Sequence, residues 1–220
     1  MNRQALVVGL GQFGTALAIS LAEKGVEVLA CDQDEDLVRA VAPIVAEAIR
    51  LDATDEAALA MTNPAHRDLC VCAIGNEGRE ASIIATALLR QFGAKRLVAR
   101  ASDPLHERIL RLIGAHEVIN PEKAFGERFA TRVLYTDVID EIPLGRDLML
   151  TELNPPDVFV GRTLAELGLP RKYEVTVVAV RRPDRVEVEL PTATRRLEAD
   201  DVLIVVARPG SVARLLEKLS

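Results

Sequence analysis

The sequence has no tryptophan, and only 3% of its 220 residues are aromatic. Single-stranded nucleic acid is held by stacking bases on exposed rings, so that class of partner is excluded. Positive charge is also short: 27 Lys and Arg stand against 33 Asp and Glu, for a net charge of −6. Phosphate backbones need a basic face, and no nucleic-acid partner is expected. No apolar run approaches the ~20 residues of a membrane span, and the N-terminus lacks a secretory apolar core. The longest runs, Val175 to Val180 and Val202 to Ala207, have strand length. Three cysteines, Cys31, Cys70 and Cys72, cannot all pair, and each sits in an apolar stretch without zinc-site spacing. Buried, inert thiols in a reducing cytoplasm are expected.

Catalytic equipment is missing as well. There is no Tyr-x-x-x-Lys, serine elbow or Walker lysine. His66 falls in a loop, His106 on a helix and His116 before an edge strand. None joins a recognisable constellation, and solvated or half-buried structural roles are expected for them. A hydride-transfer enzyme needs a proton donor at its cofactor, and none is evident. A non-enzyme is predicted, with a small NAD-dependent oxidoreductase as the alternative.

What the chain does have is 49% hydrophobic residues and a glycine turn between apolar segments. Ala5-Leu6-Val7-Val8 runs into Gly9-Leu10-Gly11-Gln12-Phe13-Gly14, followed by Leu17 and Leu21 at helical spacing. In strand–turn–helix form, Gly9 permits the turn, Gly11 admits a phosphate to the backbone, and Gly14 allows close packing. The helix N-terminus then faces the anion with free N–H groups. A second strand ends at Asp32, which lies about 20 residues beyond the turn, where an acid hydrogen-bonds a ribose hydroxyl. Asp34 is a second candidate for that sugar. Both acids have an alternative role as caps of a helix over Glu35 to Ala42. An acid at this place also disfavours a 2′-phosphate.

Strand–helix alternation continues through Glu47–Leu51, Leu69–Ile74, Lys95–Ala101 and Glu117–Ile119 as strands. Asp52 or Thr54 can cap a helix beginning near Asp55. A helix over Arg79–Gln91 is expected to bury Ile83, Ile84, Ala87 and Leu88, and another covers Pro104–Ile113. Six strands with intervening helices predict a Rossmann-like α/β fold, a doubly wound parallel sheet of order 3-2-1-4-5-6. Gly9, Asp32, Asp52, Gly75 and Arg100 then share the carboxyl edge, where such sheets bind ligands. A helix over Ala124–Tyr135 carries Phe125, Phe129 and Val133 on one stripe, able to pack on its own sheet or a second subunit. Beyond it a small α+β domain is predicted. Its strands include Leu148–Leu153, Val175–Val180, Val186–Leu190 and Asp201–Ala207, with a hairpin turn at Arg181–Arg185 and helices at Thr163–Leu167 and Gly210–Leu219. The expected domains are 1–120, a bridging helix over 121–137, and 138–220.

These marks, in order, resemble the cytoplasmic gating subunits of bacterial potassium transporters, the KtrA/TrkA type with RCK domains. They are Val8 to Gly14, Leu29-Ala30-Cys31-Asp32, Asp52-Ala53-Thr54, Ala73-Ile74-Gly75 and Asn120-Pro121-Glu122-Lys123. In the second domain they are Tyr173-x-Val175-x-Val177 and Leu197 to Leu203. The resemblance covers essentially the whole chain. It implies a cytoplasmic homo-oligomer, dimers assembled into an octameric ring, docked on a KtrB/TrkH-like membrane K⁺ transporter subunit at the inner face of the membrane. It also implies ATP/ADP or NAD(H) bound at Gly9, Gly11, Gln12, Phe13 and Gly14 (phosphates) and Asp32, Gln33 and Asp34 (ribose). Asp52, Ala53, Thr54, Ala73, Ile74 and Gly75 would line the adenosine pocket, with Arg100 on the phosphates. Glu122 matches an acid implicated in binding a divalent or monovalent cation at the dimer interface; its alternative is a first-turn helix acid. Where relatives often carry an arginine that reads the last phosphate, this chain has Gln12, which implies weaker discrimination of ATP from ADP. Arg171 and Pro191 fall near segments that bind cyclic di-AMP in some relatives. The same unit also serves as the nucleotide sensor of other transporters or channels.

Overall fold

The computed structural model describes residues 3–145, 147–182 and 188–219. The chain divides into two compact units, Met1–Pro121 and Glu122–Ser220.

Unit 1 is built on strands β1 (Gln4–Val8), β2 (Glu27–Asp32), β3 (Glu47–Arg50), β4 (Leu69–Cys72), β5 (Leu97–Arg100) and β6 (Glu117–Ile119). They form one parallel sheet in the predicted order β3-β2-β1-β4-β5-β6. Near-continuous apolar strands suit a sheet covered on both faces. Alternate residues supply two cores accordingly. Leu6, Val8, Leu29, Cys31, Cys70 and Cys72 face one side, and Ala5, Val7, Val28, Ala30 and Val71 face the other. Helices α1 (Gln12–Glu23) and α2 (Glu35–Val41) contribute to the second core. Helices α3 (Glu56–Ala60), α4 (Arg79–Gln91) and α5 (Pro104–Ile113) contribute to the first. All three cysteines are free and buried, and burial pushes the Cys70 thiol up to about 12 and raises Cys31 and Cys72 as well.

Three local expectations change. The buried stripe of α4 is Ser82, Ala85, Thr86 and Leu89; Ile83, Ile84 and Leu88 are half-buried and Ala87 is exposed. Small side chains let the helix approach the sheet closely enough for Cys72 Sγ to meet the Ser82 carbonyl at 3.7 Å. Neither Asp52 nor Thr54 caps α3. Asp55 does, accepting from the Ala58 N–H at 3.1 Å. His106 is neither solvated nor half-buried but 1% exposed, because α5 turns it inward beside Leu110.

Helix α6 (Pro121–Leu134), all but its first residue in unit 2, has no buried residue. Strands β7 (Val138–Pro143), β8 (Met149–Leu153), β9 (Val175–Arg181), β10 (Val188–Glu189) and β11 (Val202–Ala207) form an antiparallel sheet of order β10-β9-β11-β8-β7. Its core is Val138, Leu153, Val180, Leu203 and Val205 packed with Leu167, Leu169, Leu215 and Leu216. The latter come from α7 (Leu164–Leu167), α8 (Leu169–Tyr173) and α9 (Ser211–Leu219). Thr163 and Glu166 close a reciprocal capping box on α7. Strand β7 and helix α8 have no counterpart in the sequence reading. The hairpin expected at Arg181–Arg185 lies largely outside the described residues, as does the start of the strand expected from Val186.

Candidate functional site

The glycine turn owes its shape to two glycines with no room for a side chain. Gly9 has φ +95°, and a Cβ there would lie 2.8 Å from the Ile74 nitrogen. A Cβ at Gly14 would run into the Gly9 carbonyl. Gly11 differs, since a Cβ on it would meet nothing within 4 Å. It stands at the N-cap of α1 with no side-chain hydrogen bond to the helix, and no acid occupies the first turn. The first-turn N–H groups are thus left to an anion, and open space at Gly11 admits one. The residues present fit a nucleotide phosphate.

Asp32 ends β2 beside this turn. Its Oδ2 accepts the Leu10 N–H at 2.6 Å and its Oδ1 accepts the Asp34 N–H at 2.9 Å. Asp34 is the N-cap of α2, accepting the Asp36 N–H at 2.8 Å, so the capping alternative holds for it. Gln33 is exposed, and its carbonyl accepts from Arg50 Nε at 3.1 Å. Asp52 follows β3. Its Oδ1 accepts both the Thr54 hydroxyl (2.7 Å) and the Thr54 N–H (2.9 Å), and these bonds hold its carboxyl below the ordinary range. Ala53 between them is buried.

Across β1, the Ala73 N–H donates to the Val8 carbonyl at 2.7 Å, which carries Ala73-Ile74-Gly75 against the glycine turn. Arg100, at the end of β5, places its guanidinium carbon 5.8 Å from the Phe13 ring centroid. A Cβ on Gly75 would lie 3.2 Å from Arg100 Nη1. The carboxyl edge therefore brings together Gly9, Gly11, Phe13, Gly14, Asp32, Ile74, Gly75 and Arg100 in one chain of contacts. Gln12 is exposed at the start of α1. Glu122 stands in the first turn of α6, in unit 2. Among the described residues, no group of three His, Cys, Asp or Glu side chains could hold a metal ion.

Two arginines escaped the sequence reading. Arg50 stands opposite Asp32 in the β2–β3 register, a neighbour that strand order without register does not supply. Arg79, at the start of α4, pairs with Asp103, whose carboxylate caps α5 through the Leu105 and His106 N–H groups. Of the histidines, His116 accepts the Leu97 N–H at 2.9 Å, a structural role, and His66 closes a short 3-10 turn. In unit 2 a recess of about 420 Å³ is lined by Glu166, Arg171 and Lys172 among others, but not by Pro191.

A parallel sheet of this order, with a glycine turn at its switch point and an acid closing the next strand, defines a Rossmann-like nucleotide-binding class of fold. The chain belongs to the TrkA family of potassium-uptake proteins: the TrkA-N domain matches residues 5–121 and the TrkA-C domain residues 148–220. Ktr system potassium uptake protein C of Bacillus subtilis (strain 168) is 33% identical over 219 residues, covering 100% of this chain and 98% of that protein. Ktr system potassium uptake protein A of Vibrio alginolyticus is 34% identical over 218 residues, covering 99% and 98%. In fold, the chain is similar to a GsuK channel solved bound to NAD, with TM-score 0.65 at 17% identity. That match covers 100% of this chain and 40% of the channel chain. Among the described residues no helix is long and apolar enough to cross a membrane.

Proposed function

We propose that this chain is a nucleotide-sensing regulatory subunit of a potassium-uptake system and not an enzyme. The observation that carries the reading is the pairing of open space at Gly11 with the Asp32 carboxylate bonded to the same turn through Leu10. ADP, ATP or NAD(H) would place its phosphates on the first turn of α1 and beside Arg100, and donate its ribose hydroxyls to Asp32. Gln33, Asp34, Asp52, Ala53 and Thr54 would border the adenosine. Binding shifts a conformational equilibrium only by its differential affinity, and a tenfold preference for one state amounts to about 1.4 kcal/mol per site.

The output would pass through 121–137 and 138–220 to a membrane-embedded K⁺ pore subunit, with the chain held at the cytoplasmic face. Phe125, Phe129 and Val133 are exposed on α6, the two rings stacked 5.6 Å apart, and a second copy of this chain would cover them. Dimers formed so could close into a ring of eight, with Glu122 sharing a cation between copies. Arg171 and Lys172 supply two cations to the unit 2 recess, which suits a dianion such as cyclic di-AMP.

Calorimetric titration of the full chain with ADP, ATP and NADH tests the reading, with native mass measured in parallel. Asp32→Ala should abolish binding of all three while circular dichroism reports a folded chain. Wild-type affinity in that variant would refute the site. A monomer that transfers hydride from NADH to a carbonyl substrate would favour an oxidoreductase instead.

A further inference from the structure

Three segments far apart in sequence converge on one guanidinium. Arg100 ends β5, Phe13 lies in the first turn of α1, and Gly75 follows β4. The Arg100 Cζ is 5.8 Å from the Phe13 ring centroid, within the range where the ring's negative face attracts a cation. Nη1 also occupies space that a side chain at residue 75 would crowd, since a Cβ there would lie 3.2 Å away. We propose that Phe13 is a positioning residue: its ring and the bare backbone of Gly75 hold the Arg100 guanidinium beside the first turn of α1, aimed at the outer phosphates of a bound nucleotide. The inference rests on the nucleotide reading above and gives Phe13 a task within it.

The chemistry favours phenylalanine at this place. A long arginine side chain loses rotamer freedom when it grips a phosphate, and holding it beforehand lowers that cost. An aromatic ring does so through its face, and not as a hydrogen-bond acceptor that would compete with the phosphate for the guanidinium. Because Phe13 belongs to the glycine turn itself, cation and anion-binding N–H groups are set relative to each other by one residue. Leucine would keep the apolar bulk and lose the quadrupole.

The test is calorimetric titration of the full chain with ADP and with adenosine, in wild type, Phe13→Leu, Phe13→Tyr, Arg100→Gln and the Phe13→Leu/Arg100→Gln double variant. Phe13→Leu should weaken ADP binding about two- to fivefold, the scale of a solvent-accessible cation–π contact. Adenosine binding should stay unchanged, Phe13→Tyr should retain wild-type affinity, and the Phe13→Leu loss should vanish once Arg100 is gone. An equal ADP loss with and without Arg100, or a parallel fall for adenosine, would show the ring packing on the ligand and overturn the positioning role. No ADP loss in Phe13→Leu would overturn it too. Should Phe13→Leu fail to fold, Gly75→Ala carries the same test by crowding Nη1, and its ADP loss must likewise depend on Arg100. A wild-type chain that binds neither ligand would bring down the nucleotide reading itself, whereas the other failures leave that reading standing.

Discussion

Alanine substitutions at Gly11 and Gly14 separate the space kept for a ligand from the space the fold requires. At Gly11, φ −62° and ψ −174° suit any residue, and an added methyl meets nothing within 4 Å. Alanine is a poorer N-cap by about 0.5–1 kcal/mol, and it restricts the unfolded chain by about 0.4–1 kcal/mol in the opposite sense. The net change in stability should therefore stay within about 1 kcal/mol. At Gly14 the methyl would press on the Gly9 carbonyl, with its carbon at 2.9 Å and Ala73 Cβ at 3.2 Å. Gly9 cannot retreat, because its N–H donates to the Cys31 carbonyl at 2.8 Å and its own Cα hydrogens already face Ile74. Overpacking against such a backbone belongs at or above the upper end of about 1–3 kcal/mol, and alanine's helix propensity returns about 1 kcal/mol. A net loss near 2 kcal/mol remains, or about 8 °C in Tm for a domain of this size. Thermal unfolding and ADP titration of both variants supply the assay. Gly11→Ala should melt close to wild type and bind no ADP, and Gly14→Ala should melt well below it. ADP binding at wild-type strength by Gly11→Ala would refute the claim that its open space receives a phosphate.

Two further outcomes concern buried charge. His106 accepts the Ser102 N–H at Nδ1 (3.3 Å), which leaves the proton on Nε2, an atom without a hydrogen-bond partner among the described residues; burial first, and then Arg79, lower its pKa. The unfolded chain therefore takes up the proton first, so stability is full above the unfolded value of about 6.5 and declines as pH falls toward the folded one. Urea melts across this range should show a shallower slope in His106→Gln, and an unchanged slope would exclude His106 as its source. In unit 2 the Asp201 side chain is 0% exposed and accepts from Arg195 Nη2 at 2.9 Å and the Glu198 N–H at 2.8 Å. Asp201→Ala leaves the largely buried Arg195 guanidinium with the exposed Glu189 carboxylate, 3.4 Å from its Nε, as its remaining ion-pair partner, and should cost about 1–3 kcal/mol by chemical denaturation. The pair Asp201→Leu with Arg195→Met should cost less, and a loss below about 1 kcal/mol in the single variant would mean that the pair is not energetically buried.

The parallel sheet was legible because its strands are apolar on both faces and end at residues with a mechanical reason to be there. Helix α5 could be bounded to the residue, since Asp103-Pro104 opens it and Gly114, at φ +103°, closes it. Strand β7 was not legible: it reads Val-Ile-Asp-Glu-Ile-Pro and lies at a sheet edge, where charge and proline protect the strand and blur its alternation. The buried face of α4 was misread because Ser82 and Thr86 pass for surface residues in any apolar count. In the site, residue types announced themselves while their partners did not. Arg50 meeting the Gln33 carbonyl depends on register, and the meeting of Arg100 with Phe13 depends on β5 and α1 coming together.

Asp32 shows what that difference means for function. As a residue type it suggested a ribose contact or a helix cap. In the fold its Oδ2 also holds the Leu10 N–H, so the same carboxylate fixes the backbone of the glycine turn. Asp34 caps α2 through its Oδ1 instead. Under the proposed function, ribose hydroxyls donating to Asp32 share its lone pairs with the bond that shapes the phosphate-binding turn. Sugar and phosphate recognition are then coupled through one side chain. A nucleotide with both groups would settle the turn differently from a phosphate alone, and a sensor that responds to nucleotides rather than to inorganic phosphate needs that distinction.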